Sequence, residues 1–277
     1  MFEWKAAAIG LGVLVFYLFF FERFLIRVNH YRIRVPYLPA AFSGFRIVVL
    51  SDLHYGFLQP LFTIRYAVWR ANRVARDITV CTGDYVLEKN NHRKMDRVWP
   101  VLGRLHAPQG VYSVLGNHDH WADTKGSIEW LDRTGQNLRG KTVVFERHGQ
   151  TCWLVGGGDL WEDTISLDAV LAGVPGDGCR IVLAHNPDSA DILGRSRIDL
   201  MISGHTHGGQ FVLPFYGPPS NPVQNKDYTS GLKKSKTGRQ VFISKGIGWG
   251  TFPVRFNCFP EIAVLELQPG SAAGKGS

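Results

Sequence analysis

The stretch Phe45-Arg46-Ile47-Val48-Val49-Leu50-Ser51-Asp52-Leu53-His54 decides the fold. An apolar run of strand length, rich in branched residues, ends in a carboxylate and, two residues on, an imidazole. A continuous apolar run reads as a strand covered on both faces, as in a parallel α/β sheet. The same punctuation recurs four times. Ile78 to Cys81 runs into Gly83-Asp84, and Val111 to Leu115 into Gly116-Asn117-His118-Asp119. Cys179 to Ala184 runs into His185-Asn186, and Asp199 to Ile202 into Gly204-His205-Thr206-His207. In open α/β sheets, ligands collect outside the carboxyl ends of the strands. Seven side chains stand at such ends: Asp52, His54, Asp84, Asn117, His185, His205 and His207. Hard oxygens mixed with imidazoles suit two divalent metals sharing one carboxylate, a pair that activates water and stabilises displacement at phosphorus. A lone Asp or His after a strand is ordinarily a turn or cap residue. Five such ends in one chain argue for a common site.

Working outward, Gln59 to Arg76 has apolar residues at helical spacing, and a second helix is expected over His92 to Leu105, with Pro100 near its end or at a kink. Thr142 to Phe145 and Thr151 to Val155 read as a strand pair, and Gln240 to Ser244 and Glu261 to Leu267 as the closing strands. No internal repeat is visible. Gly83, Gly116 and Gly204 stand where turns are tight or backbone must approach closely.

The chain has 277 residues, enough for one large α/β domain with an appendage. Its four cysteines (Cys81, Cys152, Cys179, Cys258) form no CxxC. They indicate neither a disulfide framework nor a zinc knuckle, and Cys81 and Cys152 read as buried thiols. Net charge is +8, part of it at Arg23, Arg27, Arg32 and Arg34 directly after an apolar segment. Charge placed there suits anionic lipid headgroups rather than nucleic acid. No obligate protein partner is indicated.

Ala6 to Phe21 is an uninterrupted apolar run. If Glu22 and Arg23 snorkel to the interface, Ala6 to Ile26 is long enough to cross a bilayer. A cleaved signal peptide is the rival, but the n-region is weakly charged and no small-x-small site follows. The reading is therefore a single-pass membrane anchor. Arginines on its C-terminal side place the following domain in the cytoplasm. The organisation expected is anchor and basic stem over 1–34, with Val35-Pro36-Tyr37-Leu38-Pro39 opening a domain over 35–268 as a rigid extended connector. A small polar tail follows over 269–277.

The ordered set DxH, GD, GNHD, H and GHTH resembles the calcineurin-like metallophosphoesterase superfamily over about Phe45 to Leu267. The resemblance implies an α/β fold, a four-layer α/β/β/α sandwich of two mixed sheets with helices outside. It implies that Asp52, His54 and His207 hold one metal, that Asn117, His185 and His205 hold the other, and that Asp84 bridges them. His118 corresponds to the catalytic histidine that protonates the leaving oxygen. Asp119 is open between a supporting carboxylate behind the ligands and a helix cap; His120 receives no role. The implied metal is Mn²⁺, though such ligands would also take Zn²⁺ or Fe.

Leu50 to His54, Ser203 to Gln210 and Lys245 to Ile262 are similar to a membrane-associated phosphodiesterase subgroup that includes a UDP-2,3-diacylglucosamine pyrophosphatase. This implies a lipid-linked pyrophosphate substrate, cleaved to UMP and a lipid phosphate. Apolar loops at Phe211 to Tyr216 and Trp249 to Pro253 either reach toward the bilayer or pack as core-flanking loops. Lys245 and Arg255 are candidate phosphate contacts, with surface solvation as the default. Leu87-Glu88-Lys89 after Gly83-Asp84-Tyr85-Val86 lacks the arginine expected of protein Ser/Thr phosphatases, which argues against a phosphoprotein substrate. A broad phosphodiesterase acting on nucleotide or envelope diesters is the alternative, and a non-catalytic binding scaffold the third reading.

Overall fold

The computed structural model describes residues 2–176, 178–250 and 252–270. Two sheets form its centre. The first has strand order β1 (Arg27–Val35), β11 (Glu261–Pro269), β2 (Arg46–Leu50), β3 (Ile78–Cys81) and β4 (Val111–Ser113). The second has order β5 (Thr142–Arg147), β6 (Gln150–Gly156), β7 (Cys179–Leu183), β8 (Leu200–Ser203), β10 (Gln240–Ile243) and β9 (Gly231–Lys234). Strands β2, β3 and β4 are parallel, as are β6, β7, β8 and β10; β11 against β2, β5 against β6 and β9 against β10 are antiparallel. Both sheets are therefore mixed.

Residues alternate across a strand with a period of two, and here both faces are apolar. Ile47 and Val49 of β2 face the second sheet, where they join Ile181, Leu183, Ile202 and Phe242 in the inter-sheet core. Val48 and Leu50 face outward under α2 (Leu61–Ala71), α3 (His92–Leu102) and α4 (Asn117–Arg133). On the far side, Val155, Val182, Met201 and Val241 are covered with residues of α5 (Leu167–Ala172) and α6 (Ser189–Ile192). The result is the expected four-layer α/β/β/α sandwich. It also explains the unbroken apolar runs, since no central strand has a wet face.

The expected strands fall where the sequence puts them, within one residue except at the ends of β4, β5 and β11, which differ by two; β1 and β9 are additional. The N-terminal third departs from expectation. Helix α1 (Phe2–Phe16) continues through a wide turn (Tyr17–Phe21) and a tight one (Glu22–Phe24), and its window Ala7–Phe24 is long and apolar enough to cross a membrane. Glu22 and Arg23 do not snorkel. Both are buried against the domain: the Glu22 carboxylate accepts the Cys258 N–H at 2.6 Å, and Arg23 donates to the carbonyls of Pro253 (2.7 Å) and Leu58.

Arg27 to Arg34, read as a basic stem, is strand β1, paired in parallel along β11. The folded sheet thus begins at Arg27 rather than at 35. At ~3.3 Å per residue, β1 carries Arg32 and Arg34 about 17 and 23 Å from Arg27, beyond a Debye length of about 8 Å. Arg32 there pairs with Glu266 at 3.4 Å, so the distance from the span weakens any headgroup role for these two arginines. The expected connector is a turn: Tyr37 has φ 55° and Leu38 is buried. Of the polar tail, Pro269 ends β11 and residues 271–277 lie outside the described residues.

Candidate metal centre

Five strand ends converge at one edge of the sandwich: β2 and β3 from the first sheet with the start of α4 behind β4, and β7 and β8 from the second. The turns there are forced. Asp52, His54, Asp84, His205 and His207 all have φ between 47° and 70°, a region that side chains other than glycine adopt only at a cost of about 1–3 kcal/mol each. Strain concentrated on five candidate ligands shows that the fold holds these side chains against local preference. Gly83 (φ 106°) is needed there for a second reason. A Cβ on it would lie 2.3 Å from the Gly116 nitrogen, so the β3 and β4 turns can touch only through a glycine.

The structure brings six of the seven candidate ligands into two groups, and the seventh, Asn117, lines the same cavity. Asp52, His54 and His207 form one group and Asp84, His185 and His205 another, each with ligand atoms within 4.8 Å. Asp84 joins the two: its Oδ2 stands 3.3 Å from His54 Nε2 and 3.2 Å from His185 Nε2. Within the groups, His54 Nε2 lies 3.2 Å from His207 Nε2, and His205 Nδ1 lies 3.1 Å from His185 Nε2. His185 Nδ1 faces the Thr82 carbonyl at 2.9 Å, which fixes its proton there and leaves the Nε2 lone pair pointing into the site. Asp52 is held by the His205 N–H at 3.0 Å.

This donor set fits a pair of cations. Asn117 Oδ1 is buried with no donor, and the inner nitrogens of His54 and His207 face each other where a cation would separate them. Buried polar groups left unpaired cost about 1–3 kcal/mol each unless something satisfies them. Electrostatics agree. Burial alone would lower His185, but Asp84 beside it, then Asp52 and Asp159, raise it to about 10. The carboxylates demand positive charge between them. His205, by contrast, is lowered to about 3 by burial and then by His185.

His118 sits half-buried at the rim, edge-on to His54 with centroids 4.6 Å apart. Its Nδ1 faces the Leu87 carbonyl at 2.7 Å. Burial lowers it to about 4, so the free protein presents a neutral ring at pH 7 with Nε2 as the open lone pair. Asp119 serves both uses left open by the sequence. Its carboxylate accepts from the Asp84, Tyr85 and Gly116 N–H groups at 2.7, 2.8 and 3.0 Å, capping α4 and fixing the Asp84 loop. Burial and then Asp84 push it up to about 7. His120 lies 3.6 Å from Asp163, away from the ligands.

The site opens into a cavity of about 740 Å³ with aromatic walls. Trp121 packs on His118 (4.7 Å) and Trp161 on His205 (4.6 Å), with Phe211, Phe252 and Val254 completing the lining. Among the described residues no lysine or arginine lines it. Lys245 is not part of the wall. Arg255 is fully buried and spends its guanidinium on the carbonyls of Lys245, Gly248 and Cys258, so it pins a loop and cannot contact phosphate.

The sequence reading missed Trp121, Trp161 and Asp159. Asp159 is buried and caps the Trp161 loop, accepting the Trp161 and Glu162 N–H groups at 2.9 and 3.0 Å. Its signal was present: Gly157-Gly158-Asp159 directly follows β6, a sixth strand end delivering a carboxylate.

Known proteins agree with this geometry. The family model described as calcineurin-like phosphoesterase matches residues 45–209. An uncharacterized metallophosphoesterase of Bacillus subtilis, YkuE, is 32% identical, covering 90% of this chain and 88% of its own. Phosphodiesterase YaeI of Escherichia coli is 34% identical over 85% of this chain and 87% of its own. UDP-2,3-diacylglucosamine pyrophosphatase LpxG of Chlamydia trachomatis is 26% identical over 87% of this chain and 89% of its own. On the family match and these relatives, the chain belongs to the calcineurin-like phosphoesterase family and is a hydrolase.

Proposed function

We propose that this chain is a membrane-anchored, dinuclear metal-dependent phosphoesterase that hydrolyses a lipid-linked substrate, with the pyrophosphate of UDP-2,3-diacylglucosamine or a close analogue as the first choice. One observation carries the reading: a single oxygen of Asp84 stands between two histidines that belong to two different ligand groups. In this assignment Asp52, His54 and His207 hold one metal, Asn117, His185 and His205 the other, and Asp84 both. Bound there, the pair supplies a polarised phosphoryl group and an acidified water; Mn²⁺ is the metal proposed, with Zn²⁺ or Fe compatible.

His118 works from the rim. Its Nδ1–H is committed to Leu87, so Nε2 is the atom that carries a proton to the leaving oxygen. An anionic substrate beside the ring favours the protonated form that burial otherwise disfavours. Asp119 keeps Asp84 in register from behind.

Support for a lipid substrate is threefold. The cavity wall is aromatic and uncharged by lysine or arginine among the described residues. The N-terminal helix has the length and composition to span a bilayer. LpxG, a relative of similar length, is named for such a substrate. The anchor holds the domain at the membrane, and with Arg27 as the arginine next to the span that is neither buried nor carried away along β1, the cytoplasmic face is the side proposed. YaeI's name favours the second reading, a broad phosphodiesterase acting on nucleotide or envelope diesters.

The deciding experiment incubates detergent-purified protein, stripped and reloaded with Mn²⁺, with UDP-2,3-diacylglucosamine and with bis-p-nitrophenyl phosphate. Release of UMP, abolished by EDTA and by His118→Ala, is the expected result. Cleavage of the small diester alone would overturn the glycolipid reading in favour of the broad phosphodiesterase.

A further inference from the structure

Helix α2 has two faces of different chemistry. Inward, Ile64, Ala67, Val68 and Ala71 are buried on the first sheet. Outward, Phe62, Tyr66 and Trp69 are 65%, 40% and 48% exposed. At 100° per residue, Phe62, Arg65, Tyr66 and Trp69 fall in an arc of about 100°. The arginines are organised around the rings: Tyr66 and Trp69 stack at 5.7 Å, Arg70 lies 5.6 Å from the Tyr66 centroid and Arg73 lies 4.3 Å from that of Trp69. No acidic residue occurs in the helix. Ahead of it, Phe57 and Leu58 are also exposed.

A contiguous apolar patch of this kind marks a contact surface, and a second feature says with what. The stripe is continuous with the end of the N-terminal apolar segment. The Phe24 and Phe62 rings are 6.2 Å apart, and the Arg23 guanidinium donates to the Leu58 carbonyl. Phe21 and Leu25 beside it are exposed. Aromatic rings interleaved with arginines are the composition of a helix lying in a membrane interface. Each arginine near an anionic surface adds about 1 kcal/mol of attraction.

We propose that α2 is an in-plane interfacial helix whose Phe62–Tyr66–Trp69 stripe lies in the headgroup layer of an anionic bilayer, a second membrane contact beside the anchor. The proposal rests on the anchor reading. It has a consequence for the site. Arg23 joins Leu58 to the Pro253 carbonyl, next to the cavity-lining Phe252, so the mouth of the metal cavity is brought beside the membrane.

The test uses the full-length chain in vesicles of phosphatidylcholine and phosphatidylglycerol. All four native cysteines are buried, so one introduced cysteine can be labelled selectively. Arg65→Cys and Arg73→Cys, each carrying an environment-sensitive dye, report the stripe. Glu146→Cys, exposed on β5 at the end of the sheet opposite the metal site, is the control. Flotation with the vesicles checks the anchor, and bis-p-nitrophenyl phosphate hydrolysis checks that each variant is folded. Nitroxide-labelled lipid should quench the dye at 65 and 73 several-fold more than at 146. Equal, weak quenching at all three sites in protein that floats overturns the proposal and leaves the anchor standing. A blue shift at 65 and 73 without lipid quenching also overturns it, assigning the stripe to a second copy of the chain. Loss of flotation sinks the anchor reading itself, and the proposal with it.

Discussion

The carboxylate of Asp119 accepts the backbone N–H of Asp84 at 2.7 Å, so a residue that is no ligand itself sets the position of the one that joins both ligand groups. Its three N–H partners are those of Asp84, Tyr85 and Gly116. Asp119→Ala leaves them unpaired, at about 1–3 kcal/mol each, partly relieved by relaxation. The expected loss is about 3 kcal/mol of unfolding free energy in a denaturant titration, with lowered turnover in the surviving folded protein. Asp119→Asn keeps the shape and some of the acceptors and should lose less. A change under about 1 kcal/mol for the alanine variant would remove the supporting role.

Asp84→Ala deletes the oxygen shared by His54 and His185. The purified variant should hold fewer than two metals by elemental analysis, and activity should fall with metal content. Two bound metals together with full activity would falsify the bridging assignment.

His118→Ala separates chemistry from binding. The ring contacts Leu87 and Trp121 at the rim, and although it also comes within 4.8 Å of His54 and Asp84, both metals of the assignment keep their own ligands without it. Metal content should therefore persist while turnover drops about 10²-fold or more, the usual range for removal of a general acid. Metal and activity falling in parallel would instead make His118 a ligand.

How much of this was legible in the sequence depends on whether the signal was local. Strand runs such as Ile47–Leu50 are apolar on both faces because the sandwich covers both, and the residues behind them declare the site one after another. The candidate ligands could therefore be named as a set, and the fold brings them to one edge of the sandwich. The basic stem was misread because β1 pairs with β11, more than 220 residues away, and its alternating arginines look like membrane-flanking charge until that partner is known. Glu22 and Arg23 were misread for the same reason. Their partners, Cys258, Pro253 and Leu58, are distant in the chain, and a charged pair after an apolar run has a plausible local explanation. Trp121, in the first turns of α4, and Trp161, in a loop, carry no local signal, because an aromatic becomes a cavity wall only when the fold sets it against a ligand.

Arg255 turns a misread residue into a prediction. A fully buried guanidinium donating to backbone carbonyls and to the Cys258 sulfur is a structural rivet on its loop, whose Gly250, Phe252 and Val254 supply part of the cavity wall. Arg255→Ala leaves several carbonyls unpaired and should cost about 3 kcal/mol or more. A phosphate-binding arginine would behave differently, raising KM with stability intact. Thermal or chemical denaturation alongside KM discriminates the two.

Removing the metals should weaken the fold as well as stop the reaction. Buried Asp52 and Asp84 sit among histidines whose facing nitrogens need a cation, so the empty site is the less stable one. Binding to the folded state alone stabilises by RT ln(1 + [L]/Kd), about 2.7 kcal/mol at a hundredfold excess over Kd. For a domain of this size that corresponds to a fall in Tm of about 5–10 °C after chelation. Adding Mn²⁺ back should restore it, and should fail to do so in Asp84→Ala. An unchanged Tm in protein shown to have lost its metals would mean the ligand groups hold their geometry without a cation, and the reading of the unpaired Asn117 oxygen and the facing histidine nitrogens as a metal site would fall.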